Sequence, residues 1–272
     1  MASDINSFAI MFNSLFELPL VIVGTAIIGL LWLFALVGLA FVRHCLLPRL
    51  RIQIGDSEFS GAMLQAVMVF YGLAVALIAV SVWQSYSDTS KLVSQEAATL
   101  AAIYREASFY PEPQRSTLQR DVRDYTDFII RQAWPLQQRG APPPTPPDLV
   151  ERLARDVMSF EPTSEGQKLL HGETLRALNE VLKATRLRMD AAGTALPSIL
   201  WMVVVVGAVI SLSSSFFFKV EDARLHGIMV LLLATFIGLV MFMIFALDRP
   251  FAGDLGLRSD PYQIIYNQLM KP

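Results

Sequence analysis

Four long apolar stretches alternate with polar segments along the chain, and this alternation predicts its main elements. Positions 18–42, 59–87, 196–218 and 225–247 contain no Asp, Glu, Lys or Arg. An uncharged stretch of about 20 residues is long enough for an α-helix to cross the hydrocarbon core of a bilayer. Each stretch is therefore predicted to be a transmembrane helix, with the lipid bilayer as its surroundings.

The second apolar stretch continues into a polar region without any signal that would end a helix. Neither Gly nor Pro occurs between Leu73 and Tyr110. Beyond the uncharged part, apolar residues recur on one face at helical spacing, at Val93, Ala97, Leu100, Tyr104 and Ala107. We therefore predict one continuous helix that crosses the membrane and then becomes amphipathic.

The polar region that follows is predicted to be helical as well. Apolar stripes at helical spacing run from Leu118 to Ala133 and from Leu149 to Phe160, and a further helix is expected from about Ser164 to Ala192. The first of these helices is predicted to end at Trp134 and Pro135, because proline breaks a helix interior.

These segments give the predicted organisation of the whole chain. An amphipathic lead-in (1–17) precedes transmembrane helices 1 and 2 (18–83), a helical extramembrane insert (84–195) follows, then transmembrane helices 3 and 4 (196–247) and a C-terminal tail (248–272). Within the insert, positions 140–147 form a Pro-rich linker of extended type. The predicted fold class is an all-α integral membrane protein with four transmembrane helices and a helical insert between the second and third.

Composition agrees with a membrane protein and excludes some partners. Of the 272 residues, 54% are hydrophobic and 17% charged, and the mean hydropathy is +0.47, which is too apolar for an ordinary soluble domain. The net charge of −2 gives no reason to expect a nucleic-acid partner. The single cysteine, Cys45, excludes an intrachain disulfide.

The distribution of basic residues favours one orientation in the membrane. The two short connections between spans contain the basic residues Arg43, Arg49, Arg51, Lys219 and Arg224, whereas positions 1–17 contain none. Short loops rich in Lys and Arg tend to stay in the cytoplasm. We therefore expect a multi-pass protein of the cell inner membrane with the insert and both termini outside the cytoplasm.

The chain contains no motif of a known type of active site. Phosphate-binding loops, dinucleotide fingerprints, zinc-protease motifs and nucleophile elbows do not occur, and the three histidines lie far apart. We therefore predict no catalytic, cofactor-binding or metal-binding residue, no cofactor and no enzyme activity. The spans contain no Asp, Glu, Lys or Arg, although His226 lies near one end of the fourth. Ion-coupled carriers usually need an ionisable group at depth, whereas a passive pore does not.

Glu96 is the one charged residue that calls for an interpretation. It lies at the edge of the apolar stripe that continues the second span, so it points toward a neighbouring helix. One interpretation is an ion pair with an arginine of the insert. The other is a charge at a pore vestibule or gate, because perturbed acids occur both in functional sites and in structural ion pairs.

Three groups of residues, in this order, resemble a bacterial membrane family described as bestrophin-like. They are Val82, Trp83, Tyr86, Val93, Glu96, Ala97, Leu100, Tyr104 and Arg105; then Tyr125, Trp134 and Pro135; then Leu247, Asp248, Arg249, Pro250, Phe251 and Gly253. The resemblance covers nearly the whole chain. It implies a relation to bestrophins, which are pentameric anion channels with four membrane helices, a helical soluble part and aromatic or aliphatic constrictions on the second span.

The resemblance also suggests roles for particular residues. Phe70 and Tyr71 on the second span become pore or gate candidates beside Glu96, although this span has no clear repeating ring motif. Structural roles are expected for the motif residues Trp83, Tyr86, Trp134, Asp248, Arg249 and Pro250. In bestrophins the soluble part lies in the cytoplasm, which is opposite to the orientation expected from the charge distribution.

Two functions of different classes are compatible with these observations. The first is an oligomeric passive channel of bestrophin-like type, for small inorganic ions and especially anions, formed by several copies of this chain. The alternative is a membrane-anchored sensor or scaffold whose helical insert binds a partner.

Overall fold

The structure is a computed structural model that describes residues 19–46, 57–139, 148–217, 222–253 and 255–271. The predicted lead-in at 1–17 and the predicted Pro-rich linker at 140–147 lie outside the described residues.

Helices make up almost all of the described part of the chain, which contains no β-strand. In chain order they are α1 (Leu20–Phe41), α2 (Ser57–Ala107), α3 (Gln114–Phe128), α4 (Trp134–Gln138), α5 (Leu149–Met158), α6 (Glu165–Ala192), α7 (Ser198–Ser215), α8 (Ala223–Asp248) and α9 (Asp260–Ile265). Single π-helical turns follow three of them, at Val42–Leu46, Ile129–Ala133 and Tyr266–Met270.

Four of the helical stretches are long and apolar enough to cross a membrane. They are Leu20–Leu46, Gln65–Ala107, Ser198–Ser215 and Ala223–Asp248. The predicted fold class is confirmed: the described chain is all-helical and has the four predicted spans. The prediction of one uninterrupted helix is confirmed as well, because α2 continues from the second apolar stretch as far as Ala107.

The chain divides into two compact units. The membrane unit consists of Met1–Gln84 and Ala195–Asp248, and the helical unit consists of Ser85–Thr194 and Arg249–Pro272. The C-terminal tail thus belongs to the same unit as the insert.

Small residues allow close helix contacts in the membrane unit. α1 packs along α8, and its Gly38 lies against the ring of Phe216 at the end of α7. Gly207 of α7 lies in the same way against the ring of Tyr71 on α2. A Cβ atom at either glycine would collide with the aromatic ring, so these contacts require the absence of a side chain.

The helical unit has a core of large side chains that no solvent reaches. Residues from six helical segments meet there, including Leu100, Leu118, Trp134, Leu153, Leu178 and Tyr262. The predicted stripe on the extended part of α2 faces this core. Ser164 caps α6 by accepting a hydrogen bond from the backbone N–H of Gln167, whose side chain accepts in turn from the backbone of Ser164.

The prediction that a helix ends at Trp134 and Pro135 is wrong. The chain stays helical as far as Gln138, because a π-helical turn at Ile129–Ala133 separates α3 from α4. Proline in a helix interior removes a hydrogen bond and collides with the preceding turn, but it fits the first turn of a helix. The π turn resets the hydrogen bonding so that Pro135 falls in the first turn of α4.

Candidate functional site

Phe70 and Tyr71 are neighbours on α2 but face different surroundings in the membrane unit. The Tyr71 hydroxyl donates a hydrogen bond to the main-chain oxygen of Val204 on α7, at 3.0 Å, and its ring lies against Gly207. Phe70 points away and is 72% exposed. Tyr71 is therefore fixed within the packing of the membrane unit, whereas Phe70 is available for contact with something else.

Phe70 begins a row of exposed apolar side chains along α2. The exposed fractions are 72% for Phe70, 58% for Leu73, 64% for Leu77 and 52% for Val80. Intervals of three and four residues place these side chains on one face of a helix. We call these four residues the α2 stripe; the described membrane unit leaves more than half of the surface of each side chain uncovered.

Glu96 is completely buried in the helical unit and forms an ion pair with Arg188 of α6. Arg188 Nε donates to Glu96 Oε2 at 2.7 Å, and Nη2 donates to Oε1 at 3.3 Å. The guanidinium therefore meets the carboxylate with two N–H groups, which is a geometrically specific arrangement.

Three hydroxyl groups complete the surroundings of the Glu96 carboxylate. Tyr262 of α9 donates to Oε2 at 2.9 Å, and Thr185 of α6 donates to Oε1 at 3.0 Å. Tyr125 Oη of α3 lies 3.3 Å from Oε1 and 2.7 Å from the Thr185 hydroxyl. Four helices thus contribute to one polar cluster, and both carboxylate oxygens have partners. We call these five residues the Glu96 cluster.

The surroundings of the Glu96 cluster keep Arg188 charged and both tyrosines protonated. Burial, and next the charge of Glu96, raise the pKa of Tyr125 and of Tyr262 well above the ordinary tyrosine value, so both phenols remain donors. For Arg188, burial by itself lowers the pKa, but Glu96 and the tyrosines outweigh it and raise the net pKa. This arrangement is suited to holding helices together and is not suited to transferring protons near neutral pH.

The structure thus shows an ion pair between Glu96 and an insert arginine, which was one of the two interpretations from the sequence. A role of Glu96 at a vestibule or gate stays a prediction. Arg188, Thr185 and Tyr262 are partners of Glu96 that the sequence pattern did not predict. A signal existed for the first two, because they lie on the same face of α6 as the buried residues Leu178 and Val181.

Two of the family-motif residues contact the tail within the helical unit. The Tyr86 hydroxyl donates to the main-chain oxygen of Leu255 at 3.0 Å, and Trp134 Nε1 donates to that of Leu257 at 3.1 Å. The Trp134 ring also meets Phe251 edge-on, with centroids 5.4 Å apart. Tyr86 and Trp134 therefore tie the start of the tail to the insert helices.

Asp248 ends α8 and lies in the membrane unit. Its carboxylate accepts a hydrogen bond from the backbone N–H of Leu196 at 2.6 Å and another from the indole N–H of Trp201 at 3.4 Å. This fixes the segment that leads into α7 against the end of α8.

The next motif residues form a tight loop in the helical unit. Arg249 is half-buried, and the main-chain oxygen of the buried Pro250 accepts a hydrogen bond from the N–H of Leu257 at 2.7 Å. Gly253 within this loop has φ 73°, a left-handed conformation that favours glycine. Trp83, on α2, is 57% exposed.

Among the described residues, no group of three or more His, Cys, Asp or Glu side chains is placed to hold a metal ion.

The sequence profile of the Bestrophin-like domain matches residues 29–262. The chain belongs to the bestrophin-like family. The match extends from within α1 to Tyr262, so this bestrophin-like chain has residues of both units within the family domain. Among curated proteins, none matches the chain.

Two solved structures have the same fold as this bestrophin-like protein. One is a crystal structure of a mutant bacterial bestrophin homologue from Klebsiella pneumoniae, with 11% sequence identity and a TM-score of 0.59. The other is described as a crystal structure of a mutant membrane protein, with 10% identity and a TM-score of 0.59. Each similarity covers 90% of this chain and 96% of the solved chain.

Proposed function

We propose that this bestrophin-like protein is an oligomeric passive ion channel of the cell inner membrane, selective for anions, in which α2 lines the path. The observation that carries this proposal is the α2 stripe: four apolar side chains on one face of the uncharged stretch 59–87, each more than half exposed within its own membrane unit.

In an assembly of several copies of the chain, the α2 stripe could line a shared path. If neighbouring copies place α2 around a common axis, Phe70, Leu73, Leu77 and Val80 form successive apolar rings. Apolar constrictions close pores to ions because water leaves the narrow apolar space. The stripe would therefore be the constriction of the channel, and Phe70 would lie in its first ring.

The absence of charge in the spans supports passive conduction and anion selectivity. Coupled carriers need an ionisable group at depth, and none of the predicted spans contains Asp, Glu, Lys or Arg. Rings of Asp or Glu select for cations because their carboxylates repel anions. A path without carboxylates lacks this electrostatic barrier to anions.

For the orientation, we propose that the two short connections face the cytoplasm and the insert faces the other side. The basic residues of the connections support this proposal. The relation to bestrophins implies the reverse. A reporter fused within positions 140–147 would be active on one side of the membrane only and would decide between the two.

Conduction is tested with the full chain in liposomes. We expect the purified protein to have a mass several times that of one chain and to conduct chloride. Leu77→Ser should increase the flux several-fold, because a hydroxyl in an apolar ring makes the constriction easier to wet.

Leu33→Ser is the matched control. Leu33 on α1 and Leu77 on α2 are both 64% exposed and both lie within a span. Leu33→Ser should leave the flux unchanged. Equal effects of the two substitutions would rule out the stripe as the constriction, and a monomer in impermeable liposomes would contradict the channel. Assembly without flux would favour a membrane-anchored sensor or scaffold.

A further inference from the structure

A second buried carboxylate in the helical unit has surroundings unlike those of Glu96. Asp121 of α3 is 1% exposed, and neither of its carboxylate oxygens has a hydrogen-bond partner among the described residues. Burying a charged group without hydrogen bonds is strongly unfavourable. The Asp121 side chain therefore needs either a proton or a nearby positive charge that offsets its negative charge.

A second carboxyl group lies close to the Asp121 side chain. Asp156 of α5 lies within hydrogen-bonding range of the Asp121 side chain. The two helices pack through the buried side chains of Leu118, Val122, Leu153 and Val157. Two carboxyl groups can form a hydrogen bond with each other only when one of them holds a proton.

Two nearby arginines compensate the negative charge of Asp121 only in part. Arg120 on α3 places its Nε 3.9 Å from Asp121 Oδ1, but its side chain is largely exposed to solvent. Arg152 of α5 is also exposed. Burial, and next the Asp156 carboxyl group, raise the pKa of Asp121 to about 7, against the lowering effect of Arg120 and Arg152.

We propose that Asp121 and Asp156 share one proton and form a pH-sensitive latch between α3 and α5. With the proton present, one carboxyl group donates a hydrogen bond to the other, which gives one Asp121 oxygen a partner and removes one of the two negative charges. When neither group holds the proton, the buried Asp121 and the partly buried Asp156 are both negatively charged and repel each other.

The short helix α5 is the part of the latch that responds. Helices as short as α5 are not stable alone in water and depend on tertiary packing. Beyond the paired side chains, Gln114 of α3 donates a hydrogen bond to the main-chain oxygen of Asp156. Loss of the shared proton should therefore loosen α5 from α3 and leave the larger core of the unit in place.

The direction of the pH effect follows from the raised pKa. The ordinary value for this aspartate is 3.8 and its value in the folded protein is about 7. The folded state thus holds the proton more tightly than the unfolded state, and protonation stabilises the contact. This stabilisation is complete below the ordinary value, decreases as the pH rises, and is lost above about 7.

Hydrogen–deuterium exchange of the full-length protein in detergent tests the latch. The amides of Leu149–Met158 are compared at about pH 5.5 and about pH 8.5, with rates corrected for the intrinsic effect of pH on exchange. We expect the wild type to lose protection roughly thirtyfold at the higher pH, because a group with a folded-state pKa of about 7 loses about 1.5 log units of proton-linked stabilisation between these two pH values. Asp121→Asn should be protected equally at both pH values, because its amide donates permanently to Asp156.

Asp124→Asn is the control, since Asp124 is half-buried on the same helix. It should keep the pH dependence of the wild type. Asp156→Asn removes the carboxyl pair from the other side and should behave like Asp121→Asn, so the test does not depend on one variant folding. Protection in the wild type that does not change with pH, or a pH dependence that persists in both Asn variants, would overturn the proposal. Ion flux is not measured, so the outcome does not depend on the proposed channel.

Discussion

The two units of this protein differ in where they place large apolar side chains and charged groups. The membrane unit exposes large apolar side chains such as Phe70 and Leu232 on the stretches 59–87 and 225–247, which contain no Asp, Glu, Lys or Arg. The helical unit buries apolar side chains and, among them, the carboxylates of Glu96 and Asp121. The difference follows from the surroundings, because hydrocarbon accepts apolar surfaces and water does not.

The units also differ in what holds their helices together. Lipid removes the hydrophobic drive for helices to associate, so contacts in the membrane unit depend on close packing at small residues such as Gly38 and Gly207. The helical unit has a hydrophobic core and in addition a cluster of buried polar groups that joins four helices. Substitutions of a buried charge and of a small residue should therefore act on different units.

Loss of one partner of the Glu96–Arg188 ion pair should have the largest effect. Glu96→Gln leaves the Arg188 charge buried without its counter-charge, which should cost about 3–5 kcal/mol of unfolding free energy. Thermal or denaturant unfolding of the full-length protein in detergent measures this change. The double variant Glu96→Met with Arg188→Met should recover much of the lost stability, because it removes both buried charges.

Asp88→Asn is the control for Glu96→Gln. Asp88 pairs with Lys91 at 2.9 Å, but both side chains are exposed and such pairs contribute little. A loss at Glu96→Gln as small as that at Asp88→Asn would show that the buried cluster is not important for the stability of the helical unit.

A helix breaker in α2 should have the next largest effect. Ser90→Pro removes a hydrogen bond inside α2 and introduces a collision with the preceding turn, at a cost of roughly 3 kcal/mol or more. Expression level and oligomeric mass measure the result, and Ser90→Ala is the control that preserves the helix. Normal expression and assembly of Ser90→Pro would contradict the importance of one continuous helix.

Overpacking at Gly207 should have a smaller effect. In Gly207→Ala the new methyl group meets the Tyr71 ring, and overpacking of this kind costs about 1–3 kcal/mol. Gly29→Ala on α1 is the control, since its surroundings are open. Unfolding monitored in detergent should show a loss for Gly207→Ala only. A loss for neither would mean that close packing at small residues does not distinguish the membrane unit.

Local sequence patterns predicted the helices but not the contacts between them. Uncharged length identified the four spans, and apolar spacing identified the buried face of α2 from Val93 to Ala107. The error at Pro135 arose because a π-helical turn changes the hydrogen-bond register, and no local signal indicated that turn. For Glu96 the stripe gave the direction of the side chain, but Arg188 and Tyr262 lie 92 and 166 positions away in the sequence.

Asp121 shows even more clearly that a local sequence pattern does not reveal which side chains meet in the folded protein. Its place between Leu118 and Tyr125 on the buried face of α3 is readable in the sequence and marks it as unusual. Nothing local indicates that the group opposite is a second carboxyl group from α5.

By itself, the sequence determined which segments enter a bilayer and which helix faces avoid water, because both properties depend on neighbouring residues and on helix geometry. Only the tertiary structure decided which buried charge is paired and which is not. Pairing depends on side chains from distant parts of the chain meeting within about 3 Å, a distance that hydrogen bonds require and that sequence spacing does not specify.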